Sequence, residues 1–483
     1  MATRSAGRIT RTLTPAFQIS ARRKSSMVSA EGCPVMHGTE ANVVVKDYSQ
    51  VPGPRPIPLL GNTWRFIPFV GDYRIEEVDK VSLRLHRQYG NIVKISGLLG
   101  RPDMVFLYDA DEIEKVFRNE ELMPHRPSMP SLNYYKHKLR KDFFGDDAGV
   151  IAVHGENWYK FRTKVQQPML QPRVSPIARV ALDVRLGCLD GSKMQTETQE
   201  LIDAVNTFFK NVGVLELKVP FWKLFSTPTW NKYINALDKI TNISMKHISS
   251  RLEELTKDSK VEVNEKSSLV QRVLALDPSN PKIAAILALD LFLVGIDTTS
   301  AAVASILYQL STNGEKQEKL KEEIDRVFPG SNDEITYQKL EEMSYLKACI
   351  KETLRMRPVV IGNGRCMTQD TVICGYNIPK GVQVVFQHYV ISNSDRYFSE
   401  PEKFLPERWL KSSKENYHPF AALPFGYGRR MCLGRRFADL EIQTIITKMI
   451  QAFKIEYHHE ELEYRIHPMY MPDGPLRFKC IDR

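Results

Sequence analysis

Acidic residues are missing from the first thirty positions of this 483-residue chain; the first is Glu31. Paired cysteines are missing too. The seven, Cys33, Cys188, Cys349, Cys366, Cys374, Cys432 and Cys480, are scattered and odd in number, without a C-x-x-C. That excludes a zinc ribbon or thioredoxin-type site and fits a reducing compartment. Gly362-Asn-Gly364 and Gly426-Tyr-Gly428 lack the final glycine and strand–turn–helix setting of a dinucleotide loop. With no P-loop and no H-E-x-x-H, the chain carries no nucleotide module of its own. Fixed-period repeats are absent, and its 28 prolines and 26 glycines follow no period, which excludes solenoids, propellers and collagen-like folds. No apolar run of about 20 residues opens the chain, so no membrane anchor is expected there.

What remains is enough for a large core: 42% hydrophobic and 26% charged residues. The net charge of +10 is unevenly placed, because Arg4, Arg8, Arg11, Arg22, Arg23 and Lys24 supply six of it. A body near +4 is no footprint of a nucleic-acid binder. The first residues are rich in Arg, Ser and Thr, with Ile9, Leu13 and Phe17 on one helical face. Cationic, amphipathic and acid-poor, they read as a mitochondrial transit peptide over 1–26, with a disordered basic arm as the plainer alternative. A linker is expected over 27–50, then one large domain over 51–483.

Val51 to Pro58 holds four prolines in eight residues, a stiff extended lead-in. Periodicity then predicts helices over 74–89, 111–119, 156–170, 195–212, 230–257, 315–328 and 339–356, with short strands at 91–95, 104–108 and within 371–386. Ile283 to Ile306 is apolar nearly all round, as in a membrane span or a buried central helix. Asp290 and Asp297 inside it favour the core helix, since each would cost several kcal/mol at bilayer depth. The fold class is therefore mainly α, with small β sheets.

The sharpest motif is F-x-x-G-x-R-x-C-x-G, built on Phe425, Gly428, Arg430, Cys432 and Gly434. A thiolate bound to iron needs backbone close to a flat macrocycle, and glycine permits that approach. Phe425 would shield the sulfur, and Arg430 would meet an anion such as a haem propionate. Other motifs are Glu352-Thr-Leu-Arg355, Pro406-Glu-Arg-Trp409, Val294-Gly-Ile-Asp-Thr-Thr299 and the W-x-x-x-R of Trp158 and Arg162. On a helical wheel Glu352 and Arg355 fall opposite the apolar stripe of Leu346, Cys349, Ile350 and Thr353, so periodicity alone leaves them in solvent.

From about residue 51 to the end, these motifs together resemble the haem-thiolate monooxygenases called cytochromes P-450. The resemblance implies Cys432 as the axial ligand of haem b, whose thiolate favours O–O cleavage. It implies a buried Glu352–Arg355–Arg408 network and propionate contacts from Arg430, Arg162, Trp158 and Arg365. Asp297 and Thr298 would manage protons, and Gly295 would let the helix widen to admit oxygen. Val294 departs from the small residue common at its position.

Lys347 and Lys351, with Arg435 and Arg436 after the cysteine, resemble the mitochondrial branch, in particular its invertebrate members. Such members take electrons from a [2Fe–2S] ferredoxin reduced by an NADPH-dependent flavoprotein. The expected substrate is an apolar small molecule, either a foreign compound of insecticide type or a steroid such as an ecdysteroid precursor. A haem-thiolate isomerase or dehydratase, or a haem-binding non-enzyme, are the alternatives. Expected pocket walls are 128–150, Asp290 to Thr298, 359–364 and Met469 to Pro472. Peripheral membrane contact is expected through Trp64 to Val70.

Overall fold

In the computed structural model, the described residues are 44–126, 129–147, 149–170, 196–257, 267–330, 333–466 and 469–483. The expected transit peptide and residues 27–43 of the expected linker lie outside them. Residues 45–483 form one compact unit.

Helices dominate. The apolar run becomes an unbroken helix, Lys282–Thr312, buried on every side from Ile283 to Leu293. No ordinary surface helix has this all-round apolarity; it needs neighbours on each flank. Pro228–Lys257, Leu269–Leu276, Ser344–Met356 and Arg435–Ala452 supply them. Its length and composition would also suit a membrane span, but this packing makes it the centre of the unit.

The pattern predicted as one helix over 339–356 is two, Tyr337–Glu342 and Ser344–Met356, broken at Met343. The helix predicted over 195–212 runs on, as Thr196–Leu217. Four strands form the largest sheet, in the order Ile92–Ile95, Met104–Leu107, Gln383–Phe386, Asn363–Cys366. Met104–Leu107 and Gln383–Phe386 pair in parallel; the outer pairs are antiparallel. Val384 and Phe386 point into the core while Val385 is half-buried, the period of two expected of a strand.

Glu352 and Arg355 are buried, against the wheel. The segment 401–409 covers their face of the helix, and its groups complete the bonding. Glu352 accepts from Arg355 Nε and Nη2 (both 2.9 Å), Arg408 Nε (3.0 Å), Trp409 Nε1 (2.8 Å) and the Leu405 N–H (3.1 Å). Arg408 reaches on to Glu415, so the helix and the loop leading to Cys432 share one ion network.

Candidate active site

A cavity of about 540 Å³ lies between the central helix and the cysteine loop. The loop's shape follows from its glycines. Gly426 and Gly428 adopt φ of +70° and +73°, a region costly for residues with a Cβ. At Gly428 a Cβ would also overlap the Glu120 carboxylate. The turn closes when the Cys432 N–H donates to the Phe425 carbonyl at 3.0 Å. Gly434 then caps the helix Arg435–Ala452, with open space where its Cβ would stand.

The Cys432 side chain lines the cavity, and this is the source of its exposure. Burial pushes its thiol up, opposed by the Gly434 N–H and by the Arg162 and Arg126 guanidiniums. Phe425 lines the same floor, with the Arg435 guanidinium 5.6 Å from its ring centre.

Three arginines line the cavity. Arg430 donates from Nε to Pro124 O (2.9 Å) and from Nη1 to Val153 O (3.0 Å). Its guanidinium lies 3.6 Å from the Trp158 ring centre. Arg162 donates to Met431 O at 3.0 Å, while its buried Nε has no partner. Trp158 and Arg162 both stand on Gly155–Met169 at i and i+4 and both line the cavity. Arg126 is the third, from a segment that carries no motif.

Burial, with Arg126, Arg365 and Arg162 nearby, lowers Arg430 to about 9. Burial, Arg365 and Arg162 lower Arg126 to about 10. Guanidiniums held away from water, and near one another, are stabilised by an anion among them.

Arg365 is not itself among the cavity-lining residues. It pairs with Glu120 at 2.5 Å and donates to Gly364 O and Tyr427 O, which ties it to the cysteine loop, and its charge is felt at Arg126, Arg430 and His388.

Two further lining residues carry buried polar atoms without a partner. His388, two residues beyond its strand, has both ring nitrogens unpartnered. Burial, then Arg365, lowers it to about 4, so the ring is neutral. Glu441, from the helix after the cysteine, has an unpartnered Oε1, and burial raises it to about 7. His388 continues the in–out alternation of its strand, so in the sequence it looks like one more core position.

On the opposite wall Thr298 lines the cavity and donates to the Val294 carbonyl at 2.7 Å. Asp297 is half-buried and does not line it; burial raises its carboxyl. The helix continues through Gly295, which lines the cavity. Val150, Ile151, Leu291, Val294, Val359 and Val360 complete an apolar wall. Met469 to Pro472 are absent from it, because Met469 packs into the neighbouring core.

A sulfur facing the cavity, open space above Gly434, three mutually repelling guanidiniums and an unpartnered imidazole fit a flat, dianionic macrocycle with an axial thiolate. Those residues could hold haem b. In that arrangement Arg126 and His388 would stand with Arg162, Trp158 and Arg430 near the propionates, and Arg365 is close enough for its charge to be felt at Arg126, Arg430 and His388.

Comparison with known proteins agrees. The cytochrome P-450 family profile matches residues 163–479. The chain is 44% identical to the probable cytochrome P-450 49a1 of Drosophila melanogaster, over 94% of this chain and 86% of that protein. It is 47% identical to the probable mitochondrial cytochrome P-450 301a1 of the same fly, over 92% and 89%. With the probable mitochondrial cytochrome P-450 12a5 identity is 31%, over 85% and 87%. By match and by site, the chain belongs to the cytochrome P-450 family, the haem-thiolate monooxygenases.

Proposed function

We propose that this monooxygenase oxidises an apolar small molecule in the mitochondrion with electrons from a [2Fe–2S] ferredoxin, itself reduced by an NADPH-dependent flavoprotein. Bound haem supplies the oxygen chemistry, inserting one atom of O2 into the substrate and reducing the other to water. The protein's own part is positional. Cys432 holds the iron, Arg126, Arg162 and Arg430 neutralise the propionates, and the apolar wall keeps water from the reacting atoms. Thr298 presents a hydroxyl to the cavity beside Asp297. Burial raises the Asp297 carboxyl, which makes it a better proton donor and acceptor than an exposed one.

The observation that carries the ferredoxin reading is a basic face beside the cysteine. Asp439 feels Arg435, Lys351 and Lys347 together, so two segments distant in sequence present their cations to one region. Lys347 also pairs with Glu341 at 3.1 Å, and Lys351 lies exposed 5.9 Å from the Trp409 ring centre. Arg436 turns away, donating to Leu170 O. Facing charges steer an acidic partner and fade with salt. Reversing Lys347 and Lys351 to Glu should raise the KM for ferredoxin at least tenfold, about 1.4 kcal/mol, with haem content unchanged. An unchanged KM at low salt would remove ferredoxin from this face.

The mitochondrial placement rests on the names of the relatives and on the acid-poor start of the chain. Contact with the matrix side of the inner membrane is part of the proposal. Leu59 and Phe69 stand out almost fully exposed and Val70 largely so, and Leu224 and Phe225 are also exposed. The turn at 97–101 links their surroundings: the Leu99 N–H donates to Thr63 Oγ1 at 2.8 Å and Arg101 donates to Lys218 O at 2.9 Å. Each such side chain taken from water contributes about 1.5–3 kcal/mol. Replacing Phe69 and Leu224 by Ser should therefore cut partition onto cardiolipin-containing vesicles at least tenfold; equal partition would refute the contact.

The apolar wall offers a substrate no free counterion, which favours foreign compounds or steroids over charged metabolites. Spectral titration of the ferric enzyme should separate these. Loose saturable shifts with many insecticides mark a detoxifying enzyme. A tight shift with one ecdysteroid precursor alone would overturn that in favour of a hormone-making hydroxylase.

A further inference from the structure

At the cavity wall, where Asp290 is one of the lining residues, lies a buried ion pair outside the haem-binding set. Lys136 Nζ stands 2.5 Å from Asp290 Oδ1, with side chains 2% and 3% exposed. Lys136 belongs to the π-helical turn Tyr135–Leu139, and Asp290 to the central helix. The second carboxylate oxygen, Oδ2, accepts the N–H groups of Val150 (2.9 Å) and Ile151 (3.3 Å). These two residues lie in a strap bent at both ends, with φ of +90° at Gly149 and +59° at Ala152. A Cβ at Gly149 would overlap the Asp290 carboxylate. The strap is thus seated directly on Asp290, and Val150 and Ile151 form part of the cavity wall.

Two physical consequences follow. Separating two buried charges leaves each uncompensated, which is strongly unfavourable, so the seat does not yield easily to a large ligand. And the cavity of about 540 Å³ has a volume typical of a pocket for one small molecule, yet it has to take both macrocycle and substrate. With Lys136 and two N–H groups already on Asp290, its carboxylate is not available to a cationic substrate.

We infer that the Lys136–Asp290 pair is a size-selecting latch: by seating the 149–152 strap it limits the substrate to a compact, uncharged apolar molecule. This rests on the haem-site reading, and the thiolate band in the carbon monoxide difference spectrum tests that reading separately, before any ligand is added. The latch itself is tested with two iron-binding azoles of one chemistry and different bulk, imidazole and 1-(triphenylmethyl)imidazole, titrated spectrally. The double variant Lys136→Met with Asp290→Ala removes the latch without stranding a charge. Gly149→Ala leaves the ion pair and unseats the strap. Each should tighten the bulky azole at least tenfold while imidazole stays within twofold. If the double variant fails to fold, Gly149→Ala decides by the same ratio. The inference is overturned if the affinities for the two azoles change in parallel, or if neither changes.

Discussion

Replacing Glu352 by Ala should cost about 3–5 kcal/mol of stability, the range for breaking a buried ion pair from one side. A domain of ordinary stability has about 5–15 kcal/mol in all, so the variant should unfold at much lower urea and retain little haem. The magnitude follows from what is stranded. Arg355 would keep only carbonyl acceptors, Ser392 O and Pro401 O, both at 2.8 Å. Arg408 keeps Glu415 and is spared in part. Trp409 Nε1 and the Leu405 N–H lose their acceptor. Glu352→Gln, which retains shape and acceptor oxygen but not the charge, should fall between. A urea midpoint for Glu352→Ala equivalent to less than about 1 kcal/mol would put the network in the class of solvated pairs.

That carboxylate also shows where the sequence stops being legible. Wheel periodicity reports which face of a helix is apolar, and Glu352 and Arg355 are on the other one. They are buried because residues 401–409, some fifty positions later, fold over them, and only the combination with Pro406-Glu-Arg-Trp409 hinted at it. Long apolar patterning was read best: the central helix needed only a few residues added at its ends. The cysteine loop was legible because its glycines, arginine and cysteine lie within ten positions. Side chains gathered from distant segments were not. Arg365 meets Glu120 across 245 positions, and no local pattern announces that pairing. Arg126 reaches the cavity from a loop with no periodic signal. Asp297 and Thr298 are adjacent in sequence, yet about 100° apart on a helix, so only Thr298 reaches the cavity.

Cys432→Ser is expected to abolish the thiolate signature and the monooxygenase turnover together, while the polypeptide stays folded. Serine has nearly the same size, and the N–H bond from position 432 to Phe425 O survives, so the loop keeps its turn. An alcohol at this position is a far poorer ligand for iron than a thiolate. The loss should exceed the 10–100-fold typical of changes outside the ligand itself. Proton linkage gives a second, independent check. Burial holds the Cys432 thiol above its ordinary value despite Arg162, Arg126 and the Gly434 N–H. At neutral pH the free group is therefore protonated, and binding iron must release that proton. Haem affinity of the wild-type chain should accordingly weaken as pH falls, and in Cys432→Ser that component of the pH dependence should vanish. Retention of the thiolate band by the serine variant would mean that another side chain ligates the iron, and the site built around this loop would be wrong.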